Sequence, residues 1–164
     1  MSVTIQDMTP QAFETFYQWS LLHHTEELMQ QRNLTREEAR KESKKELSQM
    51  LPEGLQTENQ QLYSIVAEGK SVGFLWTLHE ETAGKKQSFL CDLAVWEDYR
   101  RRGYAAQALR LMEDGAAKAG CLESVLFVAD SNCAAKKLYE KAGYRTLRPS
   151  GYGKYMIKEL RTDL

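Results

Sequence analysis

The chain has 164 residues, of which 42% are hydrophobic and 27% are charged, and these are the proportions of a globular protein that can bury a core of its own. The formal net charge is −1, so no overall positive field exists to attract nucleic acid or an anionic membrane surface. No apolar run approaches the ~20 residues of a membrane span, and the N-terminal residues lack the basic and apolar segments of a signal peptide. We therefore expect one domain covering residues 1–164, with neither nucleic acid nor a membrane as its partner.

The cysteines indicate a reducing compartment and no metal site. Cys91, Cys121 and Cys133 are odd in number and form no C-x-x-C pair, which argues against a disulfide framework or a zinc site and favours the cytoplasm. Cys133 falls at the start of a predicted helix, where a thiol pKa can fall, but packing of a small side chain is the preferred interpretation. The neighbouring residues His23 and His24 would point about 100° apart on a helix, which favours surface histidines over a chelating pair.

The N-terminal third of the chain predicts a short strand followed by two helices. Thr9 and Pro10 supply an N-cap and a first-turn proline for the first helix. The aromatic residues of this helix recur at helical spacing, which favours packing in a core. Thr35 and Glu38 then form the capping box of a second, highly charged helix over residues 37–50.

The middle of the chain predicts a three-stranded meander. Segments 61–67 and 71–79 are apolar and lie on either side of a short glycine-containing turn, a pattern typical of a hairpin. Residues 80–86 are polar and predict a loop, with Glu80 at its start. The apolar run over residues 87–95 then predicts the third strand of the meander.

The C-terminal half predicts a β-α-β unit followed by a short helix and two closing strands. The helix over residues 103–119 has an apolar stripe at helical spacing. The segment 124–128 is apolar throughout, as expected for a parallel strand covered on both faces, and its crossover from the preceding strand should be right-handed. A short helix is predicted over residues 132–142. Closing strands are predicted over 144–147 and 154–160, with a loop between them.

The turn between the third meander strand and the long helix carries the clearest chemical signal. It contains Arg100, Arg101 and Arg102, followed by Gly103 and, two residues later, Ala105. A helix that begins after a glycine-containing turn presents backbone N–H groups and the positive end of its dipole to an anion. Glycine lets the main chain approach a ligand closely, and arginine suits a pyrophosphate. The pattern therefore predicts a site for a phosphate-bearing ligand.

Two blocks of the sequence resemble the GNAT superfamily of N-acetyltransferases. The spacing Arg100-x-x-Gly103-x-Ala105 resembles its acyl-CoA-binding signature, [Gln/Arg]-x-x-Gly-x-[Gly/Ala]. A second block resembles the superfamily's next conserved segment, at about the expected distance: Asn132-x-x-Ala135-x-x-Leu138-Tyr139-x-Lys141-x-Gly143-Tyr144. The resemblance is tight over roughly residues 89–160 and loose before them. It implies an α/β (α+β) fold with a mixed, mostly antiparallel central sheet, helices on both faces and a β-α-β cofactor-binding unit.

The same resemblance implies acetyl-CoA as the cosubstrate and no metal. The backbone N–H groups of residues 101–106 would surround the pyrophosphate. The pantetheine arm would pair with the strand that ends at Val95, where one N–H group would also face the acyl oxygen. The residues expected to bind the cofactor are Leu93, Ala94, Val95, Arg100, Arg101, Arg102, Gly103, Tyr104, Ala105, Ala106, Asn132 and Tyr139.

Asn132 and Tyr139 are candidates for direct contact with the reacting end of the cofactor. They are seven residues apart, so they share one helix face at a separation of about 10 Å and could meet an extended pantetheine at two points. By resemblance Asn132 contacts the cofactor, and its alternative role is simple N-capping. Tyr139 has a phenol that is protonated at neutral pH and could donate to a departing thiolate. Its alternative role is packing between helix and sheet.

Two carboxylates are candidates for the general base. Asp92 lies within an apolar strand, where it would need a partner or a raised pKa, and a raised pKa suits a base. Glu80, at the end of the preceding strand, could take a proton directly or through water, although it could also be only a loop carboxylate. Many members of the superfamily use ordered water, so neither residue need be essential.

The predicted function is an N-acetyltransferase that moves an acetyl group from acetyl-CoA to a primary amine by direct transfer. The aromatic first helix and the 148–153 loop could close off an open groove, which favours a small-molecule acceptor over a protein or peptide. A non-catalytic acyl-CoA-binding module is the alternative class, and Tyr139 argues against it because a pure binder needs no proton donor. A dinucleotide-binding domain lacks support because the chain has no G-x-G-x-x-G motif. A monomer or homodimer is expected.

Overall fold

A computed structural model describes residues 2–160 of the chain. The strands are β1 (Val3–Asp7), β2 (Gln60–Ala67), β3 (Lys70–Thr82), β4 (Lys85–Val95), β5 (Glu123–Ala129), β6 (Arg145–Ser150) and β7 (Gly153–Glu159). The α-helices are α1 (Pro10–Arg32), α2 (Arg36–Met50), α3 (Tyr104–Lys118) and α4 (Cys133–Lys141). Among the described residues, no helix combines the length and the apolar composition that a membrane crossing requires.

The strands of the described chain form one sheet in the order β1-β2-β3-β4-β5-β7-β6. β4 and β5 are parallel, whereas the pairs β1–β2, β3–β4, β5–β7 and β6–β7 are antiparallel. Parallel neighbours need a long crossover connection, and α3 supplies it between β4 and β5. This arrangement confirms the predicted mixed, mostly antiparallel sheet and its β-α-β unit.

The apolar stripe of α3 builds much of the core of the sheet. Ala108, Leu109, Met112 and Ala116 are all buried, and they recur every three or four residues as a one-sided helix requires. They belong to one hydrophobic cluster with side chains from the sheet and from α4, among them Leu75, Leu90, Leu126, Met156 and Tyr139. This packing fixes the beginning of α3 relative to the end of β4.

The chain divides into two compact units. One lies within Met1–Asp7 and Gln61–Leu164 and contains α3, α4 and nearly all of the sheet; the other, Met8–Gln60, contains α1 and α2. In the second unit the Thr9 hydroxyl accepts the N–H of Ala12 at 3.0 Å, and Thr35 and Glu38 form a reciprocal capping box. Both predicted helix starts are therefore confirmed, while the prediction of one domain over residues 1–164 stays a prediction.

Two predicted loops are hairpin turns instead. β3 and β4 continue to pair through Glu80↔Gln87 as far as Thr82↔Lys85, so Glu80 lies inside a strand and not in a loop. The turn is Ala83-Gly84, with φ values of 53° and 79°, and two left-handed residues make the tight turn that suits a twisted hairpin. Residues 80–86 are polar because this end of the hairpin is largely exposed to solvent. An exposed strand has as many polar side chains as a loop, so composition alone did not distinguish the two.

The second hairpin replaces the predicted 148–153 loop. β6 extends to Ser150 and β7 begins at Gly153, so only Gly151 and Tyr152 lie between them. The predicted strand end at residue 147 is wrong because Pro149 is tolerated in an edge strand, and β6 is the edge of the sheet. The segment 148–153, which was expected to be a loop that could close off an acceptor groove, is therefore two strand ends joined by a short turn.

Candidate active site

β4 and β5 separate at one end of the sheet. Their parallel pairing covers Gln87 to Leu90 on β4, although β4 continues to Val95 and β5 to Ala129. Leu93, Ala94 and Val95 therefore lie beyond the part of β4 that pairs with β5. A strand edge of this kind presents main-chain groups that another extended chain can pair with.

A β-bulge in β4 accompanies this separation. Thr77 of β3 faces Leu90, but the preceding residue, Trp76, faces Asp92, so Cys91 is an extra residue on β4. A bulge bends its strand and increases the local twist. The bend begins one residue after the last β4–β5 pair, which explains why the two strands separate there.

Gly73 holds the end of β4 against β3. It faces Val95, and a Cβ atom added at Gly73 would lie 2.1 Å from the carbonyl oxygen of Ala94. Just beyond the strand, the backbone N–H of Trp96 donates to the carbonyl oxygen of Val72 at 2.8 Å. The end of β4 is therefore held by β3 on one side, while on the other side it lies beyond the pairing with β5.

The N-terminus of α3 has no side-chain cap. Thr9, Thr35 and Asn132 each cap their helix with a side-chain oxygen, whereas no side chain caps α3 at Gly103, and the first turn of α3 contains no acidic residue. The first N–H groups of a helix have no partner within it. Those of residues 104–106 therefore present the positive end of the helix dipole without a neutralising group, and this arrangement suits an anion.

The arginines of the turn before α3 make different contacts, although all three are exposed. The Nε atom of Arg100 donates to the carbonyl oxygen of Val95 at 2.9 Å. Arg102 donates from Nη2 to the carbonyl oxygen of Asp98 at 3.3 Å. Arg100 thus joins the turn to the end of β4, while Arg102 braces the turn internally.

The backbone of the turn is left-handed at Arg101 and Gly103, with φ values of 66° and 79°. Glycine adopts this conformation without steric cost. An added Cβ at Gly103 would find no protein atom nearer than Gln107 Nε2, at 4.0 Å, so within the protein its backbone conformation, and not crowding, requires glycine. Left-handed residues in such a turn direct neighbouring N–H groups into a concavity that suits an anion.

Asp92 lies on β4 just before its last three residues, Leu93 to Val95. Its Oδ1 atom accepts the N–H of Leu93 at 2.9 Å. Burial raises the pKa of the Cys91 thiol to about 12, with further contributions from Asp92 and Glu80. Burial also raises the pKa of Tyr139, and the Asp92 carboxylate raises it further. Asp92 is therefore within electrostatic reach of Tyr139, and the structure brings these two predicted catalytic residues together.

Glu80 lies elsewhere along the same pair of strands. It is exposed and faces Gln87, whose Nε2 atom donates to Glu80 Oε1 at 3.4 Å. Asp92 faces Trp76, four residues before Glu80 on β3, so the two carboxylates are separated by about 13 Å along the sheet at 3.3 Å per residue. Glu80 is therefore beside the part of β4 that is paired with β5, and not beside the unpaired end.

Asn132 and Tyr139 lie at the two ends of one face of α4. The Oδ1 atom of Asn132 accepts the N–H of Ala135 at 3.2 Å, so the residue is an N-cap. Tyr139 is only 8% exposed and belongs to the hydrophobic core. Its packing between helix and sheet is therefore present, and its role as a proton donor stays a prediction.

The remaining predicted residues fall into the same parts of the fold. Leu93, Ala94 and Val95 form the unpaired end of β4, and Ala105 and Ala106 lie in the first turn of α3. Tyr104 is buried at 3% exposure, so only its main chain could face a ligand at this turn. Cys133, predicted as a packed residue, is exposed instead because it lies in the first turn of α4, next to its N-cap.

No cluster of three or more His, Cys, Asp or Glu side chains within residues 2–160 could hold a metal ion. The site offers the backbone N–H groups at the start of α3, the Asp92 carboxylate and the Tyr139 phenol. These groups lie around the point where β4 leaves β5 and α3 begins. Their arrangement suits an extended ligand that ends in a phosphate group.

A model of the Acetyltransferase (GNAT) family matches residues 19–144 of the chain. The chain belongs to the GNAT acetyltransferase family. It is an acyltransferase. The uncharacterised N-acetyltransferase YycN of Bacillus subtilis (strain 168) is 31% identical over 146 residues, which are 88% of this chain and 94% of YycN.

Solved structures of GNAT proteins share the fold. The crystal structure of YycN from Bacillus subtilis superposes with a TM-score of 0.84 at 29% identity, covering 91% of this chain and 96% of that chain. PaiA N-acetyltransferase from Thermoplasma acidophilum, in complex with coenzyme A, gives 0.72 at 19% identity over 97% and 99% of the two chains. Spermidine N-acetyltransferase from Vibrio cholerae, in complex with CoA and spermine, superposes with a TM-score of 0.68 at 14% identity, covering 97% of this chain and 96% of that chain. At these last two identities the likeness concerns the fold alone.

One polar cluster beside Tyr139 lies outside the predicted site residues. It consists of Glu113 on α3, Ser124 on β5, Tyr144 after α4 and Lys158 on β7. Glu113 is four residues after Leu109, so it lies on the apolar stripe of α3. A carboxylate at a core position of a helix is rarely buried without a partner, and this is the signal in the sequence that could have identified the cluster.

Proposed function

We propose that the protein transfers an acetyl group from acetyl-CoA directly to the primary amine of a small molecule. The observation that carries the proposal is the uncapped N-terminus of α3 beside three exposed arginines, where the other described α-helices have side-chain caps. An anion placed there would supply the missing cap and neutralise the positive end of the helix dipole. The pyrophosphate of CoA is such an anion.

The unpaired end of β4 is the second feature that supports acetyl-CoA as the donor. Pantetheine is an extended chain with amide groups, and Leu93, Ala94 and Val95 lie beyond the part of β4 that pairs with β5. This edge leads directly into the turn before α3. A ligand with a phosphate at one end and an extended amide chain at the other could therefore occupy both features at once. CoA bound to PaiA and to spermidine N-acetyltransferase is consistent with this choice of donor.

Proton transfer in this proposal is assigned to Asp92 and Tyr139. The amine must lose a proton as its nitrogen attacks the thioester carbonyl, and the carbon–sulfur bond then breaks to release a thiolate. Asp92, directly or through a water molecule, takes the proton of the amine. The Tyr139 phenol is protonated near neutral pH, as that of any tyrosine is, and it donates its proton to the thiolate as the carbon–sulfur bond breaks. Burial and then Asp92 raise its pKa, so the phenolate left behind is quickly reprotonated, and the proton that Asp92 took from the amine is available for this.

An aromatic cluster at the end of β5 supports a small-molecule acceptor. Phe127 contacts Tyr152 and Tyr155 edge-on, with ring centroids 5.2 Å and 5.3 Å apart. Tyr152 is half exposed. Its carbonyl oxygen accepts the N–H of Asp130 at 2.9 Å, which places the cluster at the end of β5 where that strand has left β4. Aromatic faces bind apolar carbon and also attract an ammonium group.

The proposed donor site is tested by thermal unfolding with and without acetyl-CoA. A ligand that binds only the folded state adds about 2.7 kcal/mol of stability at a hundredfold excess over its Kd, so acetyl-CoA should raise the Tm. Gly103→Glu places bulk and negative charge at the uncapped helix end and should abolish the shift. Gly115→Glu is the matched control, because Gly115 lies in the same helix, is exposed, and has no atom near its added Cβ. An equal shift in both variants would contradict the site.

The acceptor class is tested by acetyl transfer to a panel of small amines and a panel of peptides with free N-termini or lysines, with free thiol release as the readout. Turnover with small amines and none with peptides is the expected result. Turnover confined to peptides would replace the small-molecule acceptor with a protein acceptor and leave the donor site unchanged. Binding of acetyl-CoA with turnover in neither panel would extend the search to other amines.

A further inference from the structure

The ring of Tyr144 holds the ring of Tyr139. Their centroids are 5.9 Å apart with an interplanar angle of 63°, and the backbone N–H of Tyr144 donates to the carbonyl oxygen of Tyr139 at 3.0 Å. Both side chains are buried. A T-shaped contact between buried rings defines their relative direction, so the direction of the Tyr139 phenol depends on where the Tyr144 ring stands.

The Tyr144 hydroxyl is itself held by polar groups inside the core. It lies 2.7 Å from the Oγ atom of Ser124. Burial raises the pKa of Tyr144, and the nearby Glu113 carboxylate raises it further. Glu113 is 6% exposed, and its Oε2 atom is buried without a hydrogen-bond partner at normal distance. A buried carboxylate oxygen without a hydrogen-bond partner lowers the stability of the folded protein. A role for Glu113 beside the Tyr144 hydroxyl would explain why this position is not apolar.

Lys158 completes the cluster from β7. Its Nζ atom lies 2.7 Å from Glu113 Oε1 and 5.9 Å from the centroid of the Tyr144 ring. It faces Ser124 across the β5–β7 pair. The ion pair compensates the charge of Glu113, whose side chain is buried while that of Lys158 is partly exposed, so removing Lys158 would leave a buried carboxylate uncompensated. Lys158 and Ser124 therefore fix the cluster to the central strands of the sheet.

We propose that Glu113 and Tyr144 are positioning residues for acetyl transfer: the Glu113–Lys158 pair and Ser124 fix the Tyr144 ring, and that ring fixes the phenol of Tyr139 in the site. The inference rests on the proton-donor role given to Tyr139 under the proposed function. None of these positioning residues needs to touch substrate. They act on turnover because a reacting group displaced by about 1 Å can lose about a hundredfold in rate.

The test is a double-mutant cycle on kcat between Tyr144→Phe and Tyr139→Phe. Tyr144→Phe keeps the ring and removes the hydroxyl that lies 2.7 Å from Ser124 Oγ. We expect it to lower kcat about tenfold, with the KM for acetyl-CoA close to the parent value. In the Tyr139→Phe background it should have no further effect, because the phenol that it positions is gone. The proposal would be overturned if Tyr144→Phe lowered kcat by the same factor in the parent protein and in Tyr139→Phe, or if it left kcat at the parent value.

Two further variants separate positioning from general loosening of the core. Ser124→Ala removes a partner of the Tyr144 hydroxyl and should show the same dependence on Tyr139. Ile157→Val is the control, since Ile157 is a buried neighbour of Lys158 on β7 and lies outside the cluster. It should lower the Tm and leave kcat at the parent value. A loss of kcat in Ile157→Val equal to that in Tyr144→Phe would contradict the inference.

The cycle also distinguishes failure of the inference from failure of the proposed function. Parent kcat in Tyr139→Phe alone would remove the proton-donor role of Tyr139 and the positioning role with it. Loss of kcat in Tyr139→Phe, together with parent kcat in Tyr144→Phe and Ser124→Ala, would overturn only the positioning role. The thermal shift with acetyl-CoA should persist in all of these variants, because none of them alters the turn before α3.

Discussion

The Nε atom of Arg100 donates a hydrogen bond to the main-chain carbonyl oxygen of Val95 at 2.9 Å. This bond joins the two segments that we propose for acetyl-CoA, the unpaired end of β4 and the turn before α3. The first residue of the signature motif is therefore more than a positive charge for a phosphate. It holds the turn in register with the strand, so that the uncapped N-terminus of α3 begins at a fixed distance from the end of β4.

Arg100→Lys should therefore lower both stability and affinity for acetyl-CoA. Lysine keeps the positive charge but has no Nε–H in the position that meets Val95, so we expect a loss of about 1 kcal/mol in the free energy of unfolding. Arg101→Ala should lower affinity without that loss, since Arg101 is exposed and removal of a surface charge acts mainly on the ligand. Urea unfolding and calorimetric titration of both variants provide the measurement. A parent urea midpoint in Arg100→Lys would contradict the structural role of the bond.

Asp92→Asn should lower kcat/KM for the amine more than Glu80→Gln does. Asp92 lies next to the last three residues of β4 and close enough to Tyr139 to raise the pKa of that phenol. Glu80 lies opposite Gln87, beside the part of β4 that pairs with β5. A general base contributes typically about 10²–10⁴-fold. The measurement is kcat/KM at neutral pH for both variants. Equal or greater loss in Glu80→Gln would transfer the role to Glu80, and near-parent rates in both would leave water as the proton acceptor.

Stability should fall at alkaline pH because of the buried phenols. Burial, followed by nearby carboxylates, raises the pKa of Tyr139 and Tyr144 above the ordinary 10.0. A group whose folded pKa is raised contributes stability below its unfolded pKa and loses it as pH rises toward the folded pKa. Above pH ~10, each phenol should therefore remove about 1.4 kcal/mol of unfolding free energy per pH unit. Urea unfolding between about pH 9 and about pH 11 measures the slope, and an unchanged slope in Tyr144→Phe would contradict this assignment.

The cysteines should react with iodoacetamide in an order set by exposure and thiol pKa. Cys133 is exposed and should react first. Burial is the first cause of the rise in the Cys91 pKa from 9.0 to about 12, which lowers its thiolate fraction near neutral pH about a thousandfold. Burial also raises the pKa of Cys121. Mass spectrometry of partly alkylated protein gives the order, and modification of Cys91 as fast as Cys133 would contradict the raised thiol pKa of Cys91.

Local features of the fold could be predicted because they depend on neighbouring residues. Thr9 with Pro10, Thr35 with Glu38, and Asn132 each define a helix start within a few positions, and the structure has a helix at each. Hydrophobic periodicity likewise predicted α3 and the strands around it. Strand ends were less predictable, because Glu80 and Pro149 are as acceptable in an exposed strand as in a loop.

The geometry of the site could not be predicted in the same way because it depends on distant pairs. The extra residue Cys91 becomes visible only when β4 is aligned with β3. The bond from Arg100 to Val95 depends on how the turn folds back. The contact of Glu113 with Lys158 joins residues 45 positions apart. The sequence motif located the turn before α3, while the contacts around Tyr139 depend on how the strands of the sheet pair.

The last strand of the described chain lies inside the sheet, between β5 and β6. β5 therefore has no partner on that side until residues 153–159 have been synthesised, although the turn before α3 is made much earlier. A ribosome adds about 5–20 residues per second, so the nascent sheet would present an open β5 edge for a short time, and such edges invite aggregation. A chain that stopped before Gly153 would keep that edge open and would lack Lys158, the partner of Glu113. Arrival of β7 thus closes the sheet and completes the cluster beside Tyr139 in a single step.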